Sequence, residues 1–230
     1  MPTQFEAWTC GYANLGAMLR NVALAGRVDL MSDVARGGVC QPTDVAALQE
    51  MMEQAWWAGF DPATAQLRRH QMVGRHGHDG FLDVAEVVAV LWWLRLNYSV
   101  IEILGGGAAS PGPQAGEAVY TAVATIMLPT GGGAGPYGVV APILVTPSHW
   151  RMAIGVAPAI QNAPRAIVVR DPRDGPGLFR RVPLTDLDGK DTHILFLSTV
   201  ERVTESASES GMGGCSIVAK WRDGVWLDGN

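Results

Sequence analysis

Three side chains in this 230-residue chain have the types needed for thiol chemistry: Cys10, His149 and Asp171. Cys10 lies in Gln4-Phe-Glu-Ala-Trp8-Thr-Cys10-Gly11-Tyr12-Ala-Asn14, directly ahead of an amphipathic helical pattern. That spacing puts the thiol where a loop enters a helix. A helix N-terminus offers unpaired N–H groups and roughly half a positive charge, which favours the thiolate, the nucleophilic form. A structural cysteine buried in a core is the alternative. His149, in Ser148-His149-Trp150-Arg151, follows a Pro147-Ser148 break and so stands at a strand mouth. A base there can take a thiol proton and return it to a leaving amine; a satisfied core histidine is the alternative. Asp171 closes the apolar run Ala166 to Val169 and precedes Pro172, a place for an imidazole-orienting carboxylate or for a plain turn former. Two adjacent strands and a loop fit the 22-residue separation of His149 and Asp171. Asp174 is a weaker substitute. Gln4 can offer its amide to a developing oxyanion beside the Cys10 N–H, or it is a surface glutamine.

These groups need elements to position them. Apolar residues Leu15, Met18, Leu19, Val22 and Ala23 predict a helix over 10–25, stopped by Gly26. A second helix is expected from Asp44 to Ala58, with Thr43 as N-cap and Gly59 as its end. Trp56 and Trp57 fall on it as core and groove wall. A short helix opens at Asp61-Pro62. Asp83 to Arg95 predicts a strong helix, Asn97 to Leu104 a strand, and Glu117 to Met127 a further helix. Strands are expected at 143–145, 151–156, 166–170 and 193–200. Helices followed by a run of strands indicate an α+β fold with a mainly antiparallel C-terminal sheet. A Gly-rich loop spans 130–138, and the Ser/Glu/Gly-rich stretch after 203 predicts a flexible tail, so residues 1–203 form the expected domain and 204–230 the tail.

Composition narrows the function. Hydrophobic residues make up 48% and charged residues 17%, enough for one core and too apolar for a disordered chain. A net charge of −5 argues against nucleic acid as partner, and Arg68-Arg69 and Arg180-Arg181 read as solvated surface. Cys10, Cys40 and Cys215 show no disulfide framework, which fits a reducing compartment. No signal peptide is visible, and Val84 to Leu96 is too short and too charged to span a membrane. The expected location is cytoplasmic or nuclear. His76, His78 and Asp79 lack further ligands at a recognised spacing, so no metal is expected, and no cofactor. The glycines at 131–135 are not followed by Lys-Ser/Thr, so they form no phosphate loop.

The run Trp8-Thr-Cys10-Gly11-Tyr12-Ala-Asn14-Leu15 resembles the nucleophile motif of the UFM-type modifier peptidases and their ZUFSP-like deubiquitinase relatives. The similarity continues through Glu53 to Pro62, Gly80 to Val87, Pro142 to Gly155 and Val169 to Pro172, in order over roughly residues 4–175. It implies a papain-like cysteine peptidase fold, a helical N-terminal half packed on the sheet, and cleavage after the C-terminal glycine of ubiquitin or a ubiquitin-like protein. It implies Cys10 as nucleophile, His149 as base and Asp171 as third member. The modifier-specific branch carries its histidine two residues after the aspartate; Arg173 stands there, which points to the ubiquitin-directed branch. Ala13 replaces the family's arginine, and Leu144-Val-Thr146-Pro replaces its polar stretch, leaving Gln4 or Thr146 as oxyanion donor. Trp8, Gly11 and Trp150 are candidate walls of a narrow channel for a Gly-Gly tail, and Trp57, Phe60 and Phe81 candidates for the wider modifier surface. A peptidase for a UFM-type modifier and a catalytically silent ubiquitin-binding module are the competing functions.

Overall fold

The computed structural model describes residues 9–24, 45–60, 66, 82–104, 115–127, 140–161, 163–174, 177–202, 215–222 and 225–228. It is an α+β protein. Its contacts divide the chain into two compact units, Met1–Asn97 with Val200–Cys215 and Tyr98–Thr199 with Ser216–Asn230.

The first unit is helical. Helix α1 runs Cys10–Leu24, α2 Val45–Trp57 and α3 Val84–Trp93. In α1, Tyr12, Leu15, Met18, Leu19 and Val22 are buried, the helical stripe the spacing predicted. In α2 the stripe is Leu48, Met51, Met52, Ala55 and Trp56, while Trp57 is exposed. Gly59 ends α2 at φ +92°, with its N–H on Trp56 O and the Phe60 N–H on Ala55 O, a glycine-terminated helix end in which only the missing Cβ makes that φ cheap. Helix α3 starts in a reciprocal cap that the sequence reading overlooked: Asp83 accepts from the first turn, and Glu86 Oε2 accepts from the Asp83 N–H at 2.8 Å. A cap of this kind is worth about 1 kcal/mol. Arg95, at φ +54°, turns the chain out of α3.

The second unit is built on a sheet: β1 Leu96–Ile103, β2 Ile143–Thr146, β3 His149–Ala157, β4 Ala166–Arg170, β5 Arg180–Pro183, β6 Thr192–Arg202, β7 Cys215–Arg222 and β8 Val225–Asp228. The strand order is β5-β4-β3-β2-β6-β1-β7-β8. Pairing is antiparallel for β5-β4, β4-β3, β3-β2, β2-β6 and β7-β8. Helix α4, Ala115–Met127, lays Ala118, Val119, Ala122, Val123 and Ile126 into a core with Leu144, Ala153, Ile167, Val169, Val182 and Ile194. Gly116 lets it approach a short 3-10 turn, Leu184–Asp186: a Cβ at 116 would lie 2.2 Å from the Leu184 carbonyl oxygen. The Gly116 N–H donates to Asp188 Oδ1 at 2.9 Å, so a carboxylate distant in sequence satisfies the open end of α4.

Two expectations need correction. Residues 215–222 and 225–228 pair as a hairpin within the sheet, where a flexible tail from 204 was expected. Strand β5 was also overlooked, although Arg180 and Arg181 are exposed as predicted and only Val182 faces the core. The predicted helix at Asp61, the Gly-rich loop and the His76–Asp79 cluster lie outside the described residues. Among those described, no helix is long and apolar enough to cross a membrane, and no cluster of His, Cys, Asp or Glu could hold a metal ion.

Candidate active site

The geometry around His149 follows from strand register. Strands β2 and β3 form a two-residue hairpin through Pro147-Ser148, with Thr146 opposite His149. On the far side, β3 pairs with β4 through Met152 opposite Arg170, and one further step along both chains sets Arg151 opposite Asp171. Side chains two apart on a strand share a face, so His149 and Arg151 lie on one face with Asp171 across from them. The contacts agree. The His149 Nε2 atom lies 2.7 Å from Asp171 Oδ2, Arg151 Nε donates to the same oxygen at 3.2 Å, and the Arg173 backbone N–H donates to Oδ1 at 3.0 Å. His149 and Asp171 are both buried, at 5% and 3% exposure.

The electrostatics fix the proton. Burial alone would push the Asp171 carboxyl up; the Arg173 N–H, the His149 ring and the Arg151 guanidinium outweigh it and hold the group below its ordinary value. An ionised carboxylate only accepts hydrogen bonds, so Nε2 carries the ring proton. Nδ1 is then the lone-pair nitrogen. It is buried and has no hydrogen-bond partner among the described residues. Burial also pushes the imidazole below its ordinary pKa, against the pull of Asp171 and with the help of Arg151 and Arg173. The ring is neutral at neutral pH, oriented through Nε2, with its lone pair on the buried Nδ1.

Cys10 is the first residue of α1, at the positive end of the helix, and is not part of a disulfide. It is 2% exposed. Asn14, one turn on and also buried, donates through Nδ2 to the Cys10 carbonyl at 2.9 Å and ties down the first turn. Gly11 has a packing reason for its size that the sequence did not disclose. A Cβ there would lie 2.7 Å from Leu82 Cβ, so the glycine is where α1 meets Leu82, and its expected place in a substrate channel loses its motive.

Two further assignments change. Thr146 Oγ1 donates its single proton to the His149 carbonyl at 2.8 Å, so it braces the hairpin and is not the expected oxyanion donor. Trp150 follows His149 directly and is paired opposite Val145, so strand alternation turns its ring to the other face from the dyad, where it is buried as core; it is no channel wall beside His149. Gln4 and Trp8 lie outside the described residues. Sequence reasoning missed Arg151, although its i, i+2 relation to a strand histidine was the signal that would have found it. No family model matches the chain, and no curated protein matches it.

Proposed function

We propose that the protein is a cysteine peptidase of papain-like fold that cleaves after the C-terminal glycine of ubiquitin, with Cys10 as nucleophile, His149 as base and Asp171 as its orienting carboxylate. The carrying observation is the His149–Asp171 pair: a neutral imidazole held through Nε2 at 2.7 Å, with a buried, unpartnered Nδ1 among the described residues. A buried basic nitrogen without a donor is costly, and a proton donor is what Nδ1 lacks among the described residues. In the reaction the Cys10 thiol gives its proton to Nδ1 and the sulfur attacks the glycine carbonyl carbon. The C–N bond breaks as Nδ1 protonates the leaving amine. Water then attacks the thioester carbon as Nδ1 takes one of its protons; the C–S bond breaks, Nδ1 returns that proton to the sulfur, and the new carboxyl loses the other to solvent.

The ubiquitin-directed branch is favoured over a UFM-type modifier because Arg173 stands where that branch has its histidine; what Arg173 contributes here is a backbone N–H to Asp171. The exposed Trp57, together with Phe60 packed edge-on against Trp92 at 5.1 Å, offers aromatic surface for the body of the modifier. The cysteine usage suits the cytoplasm or nucleus. One observation favours a second reading, a catalytically silent ubiquitin-binding module: Cys10 is only 2% exposed.

A ubiquitin probe tipped with a thiol-reactive electrophile separates these. The peptidase reading expects labelling of the wild type that is lost in Cys10→Ala and strongly slowed in His149→Asn. Binding of ubiquitin without labelling establishes the silent module. Labelling that survives Cys10→Ala removes Cys10 as nucleophile, and preference for a UFM-type modifier in a panel of such probes overturns the branch.

A further inference from the structure

Asp171 Oδ2 serves two donors. His149 Nε2 takes it at 2.7 Å and Arg151 Nε at 3.2 Å, while Oδ1 is held by the Arg173 N–H. With the His149 bond alone, a carboxylate on a strand end can rotate about its own side chain and present either oxygen. The second and third donors remove that freedom. Arg151 is placed for this by register: it is two residues from His149 on β3 and across from Asp171 at the end of β4. Its side chain is 24% exposed, and the Asp171 carboxylate that its Nε meets is 3% exposed.

We propose that Arg151 is a positioning residue: its Nε hydrogen bond fixes the Asp171 carboxylate so that His149 stays in the Nε2–H tautomer, and its positive charge offsets that of Asp171 so that the ring remains neutral with Nδ1 as its basic atom. The charged neighbours of the ring are few. Asp171 favours the imidazolium, and Arg151 and Arg173 oppose it. Strand β2, on the other side of β3, carries no charge, and Arg170, paired opposite Met152, falls on the other face of the sheet. His193, paired opposite Val145, falls on that other face too. Helix α4, packed against β3 and β4, has Glu117 as its one charged residue, and Glu117 is paired with Arg165 at 3.0 Å. Arg151 is thus the one side-chain cation among the described residues in direct contact with the Asp171 carboxylate. The catalytic value of this arrangement rests on the peptidase reading, but the positioning itself does not.

The test is therefore spectroscopic. In the full chain, ring nitrogen NMR signals assigned with His149→Asn report both tautomer and titration midpoint of His149. Arg151→Met, which keeps much of the apolar stem, is expected to raise the midpoint and to add Nδ1–H tautomer, and Arg151→Lys to keep the midpoint close to wild type. A midpoint and tautomer unchanged in Arg151→Met overturn the proposal, as does an equal shift in the Met and Lys variants, which is what simple loosening of the strand end gives. Where Arg151→Met fails to fold, Arg151→Gln carries the same expectation, judged against the same Lys control. If the midpoint moves as expected while the ubiquitin probe never labels the wild type, the positioning stands and the peptidase reading falls.

Discussion

The surroundings of Cys10 and those of His149 are built by different physics. Around His149 the position of each polar atom is dictated by strand register, and the carboxylate meets three donors within 3.2 Å. Around Cys10 the chain is a packed helix: Tyr12, Leu15 and Leu19 are buried, Gly11 is set against Leu82, and Asn14 closes back on the Cys10 carbonyl. The first region is a buried, charge-balanced hydrogen-bond cluster and tolerates little change of charge. The second is poised like a core and tolerates little change of volume. A change of charge should therefore tell most around His149, and a change of volume most along the helix that follows Cys10.

The largest effect is expected from Asp171→Asn. It keeps the shape but gives the ring a neutral partner that can donate as well as accept, so the tautomer is no longer fixed. Probe labelling should slow by about 10²- to 10⁴-fold with the fold intact by circular dichroism; a rate within twofold of wild type would break the contrast. Next is Gly116→Ala in the sheet unit, where the new methyl meets a backbone carbonyl at 2.2 Å. Overpacking against backbone should cost about 3 kcal/mol in urea unfolding. Gly11→Ala should cost about 2 kcal/mol, since Leu82 Cβ lies 2.7 Å away, and Leu82→Ala in the same chain should recover part of it. If Gly11→Ala leaves stability unchanged but stops labelling, the glycine serves substrate after all. The smallest effect is pH dependence. Both His149 and Asp171 have depressed pKa values in the folded chain, so the unfolded chain binds more protons as pH falls. Stability should decline below the ordinary histidine value of 6.5 and again below the ordinary aspartate value of 3.8. The first decline should flatten in His149→Asn, read as urea midpoint against pH; an unchanged slope there assigns the decline to another group.

Much of this was legible in the sequence, for physical reasons. Strand β4 was bounded to the residue because Ala166-Ile-Val-Val is a buried β-branched run closed by Asp171-Pro172, and the same run implied that Asp171 would reach a histidine 22 residues earlier. Helix α1 showed its stripe because its buried positions recur at helical spacing. Strand β5 escaped because a four-residue edge strand with two exposed arginines carries one inward residue, too few for a pattern. The hairpin of β7 and β8 was masked by the Ser/Glu/Gly-rich stretch before it, although Cys215 to Trp221 has strand-forming residues. Thr146, Trp150 and Gly11 were given roles by nearness in sequence to His149 and Cys10. What decides their roles is the direction of one hydroxyl, the alternation of one strand and the approach of Leu82, and none of these is local.

The proposed catalysis requires the lone pair of His149 Nδ1 to receive the Cys10 proton. The direct measurement is the rate of Cys10 alkylation by iodoacetamide against pH, in wild type and His149→Asn. A thiol peptidase should show a reactive sulfur that titrates well below the ordinary thiol value of about 8.5 in the wild type, and a profile moved up toward that value when the imidazole is removed. A sulfur that stays inert across the range, or one whose profile is the same in both proteins, would contradict it.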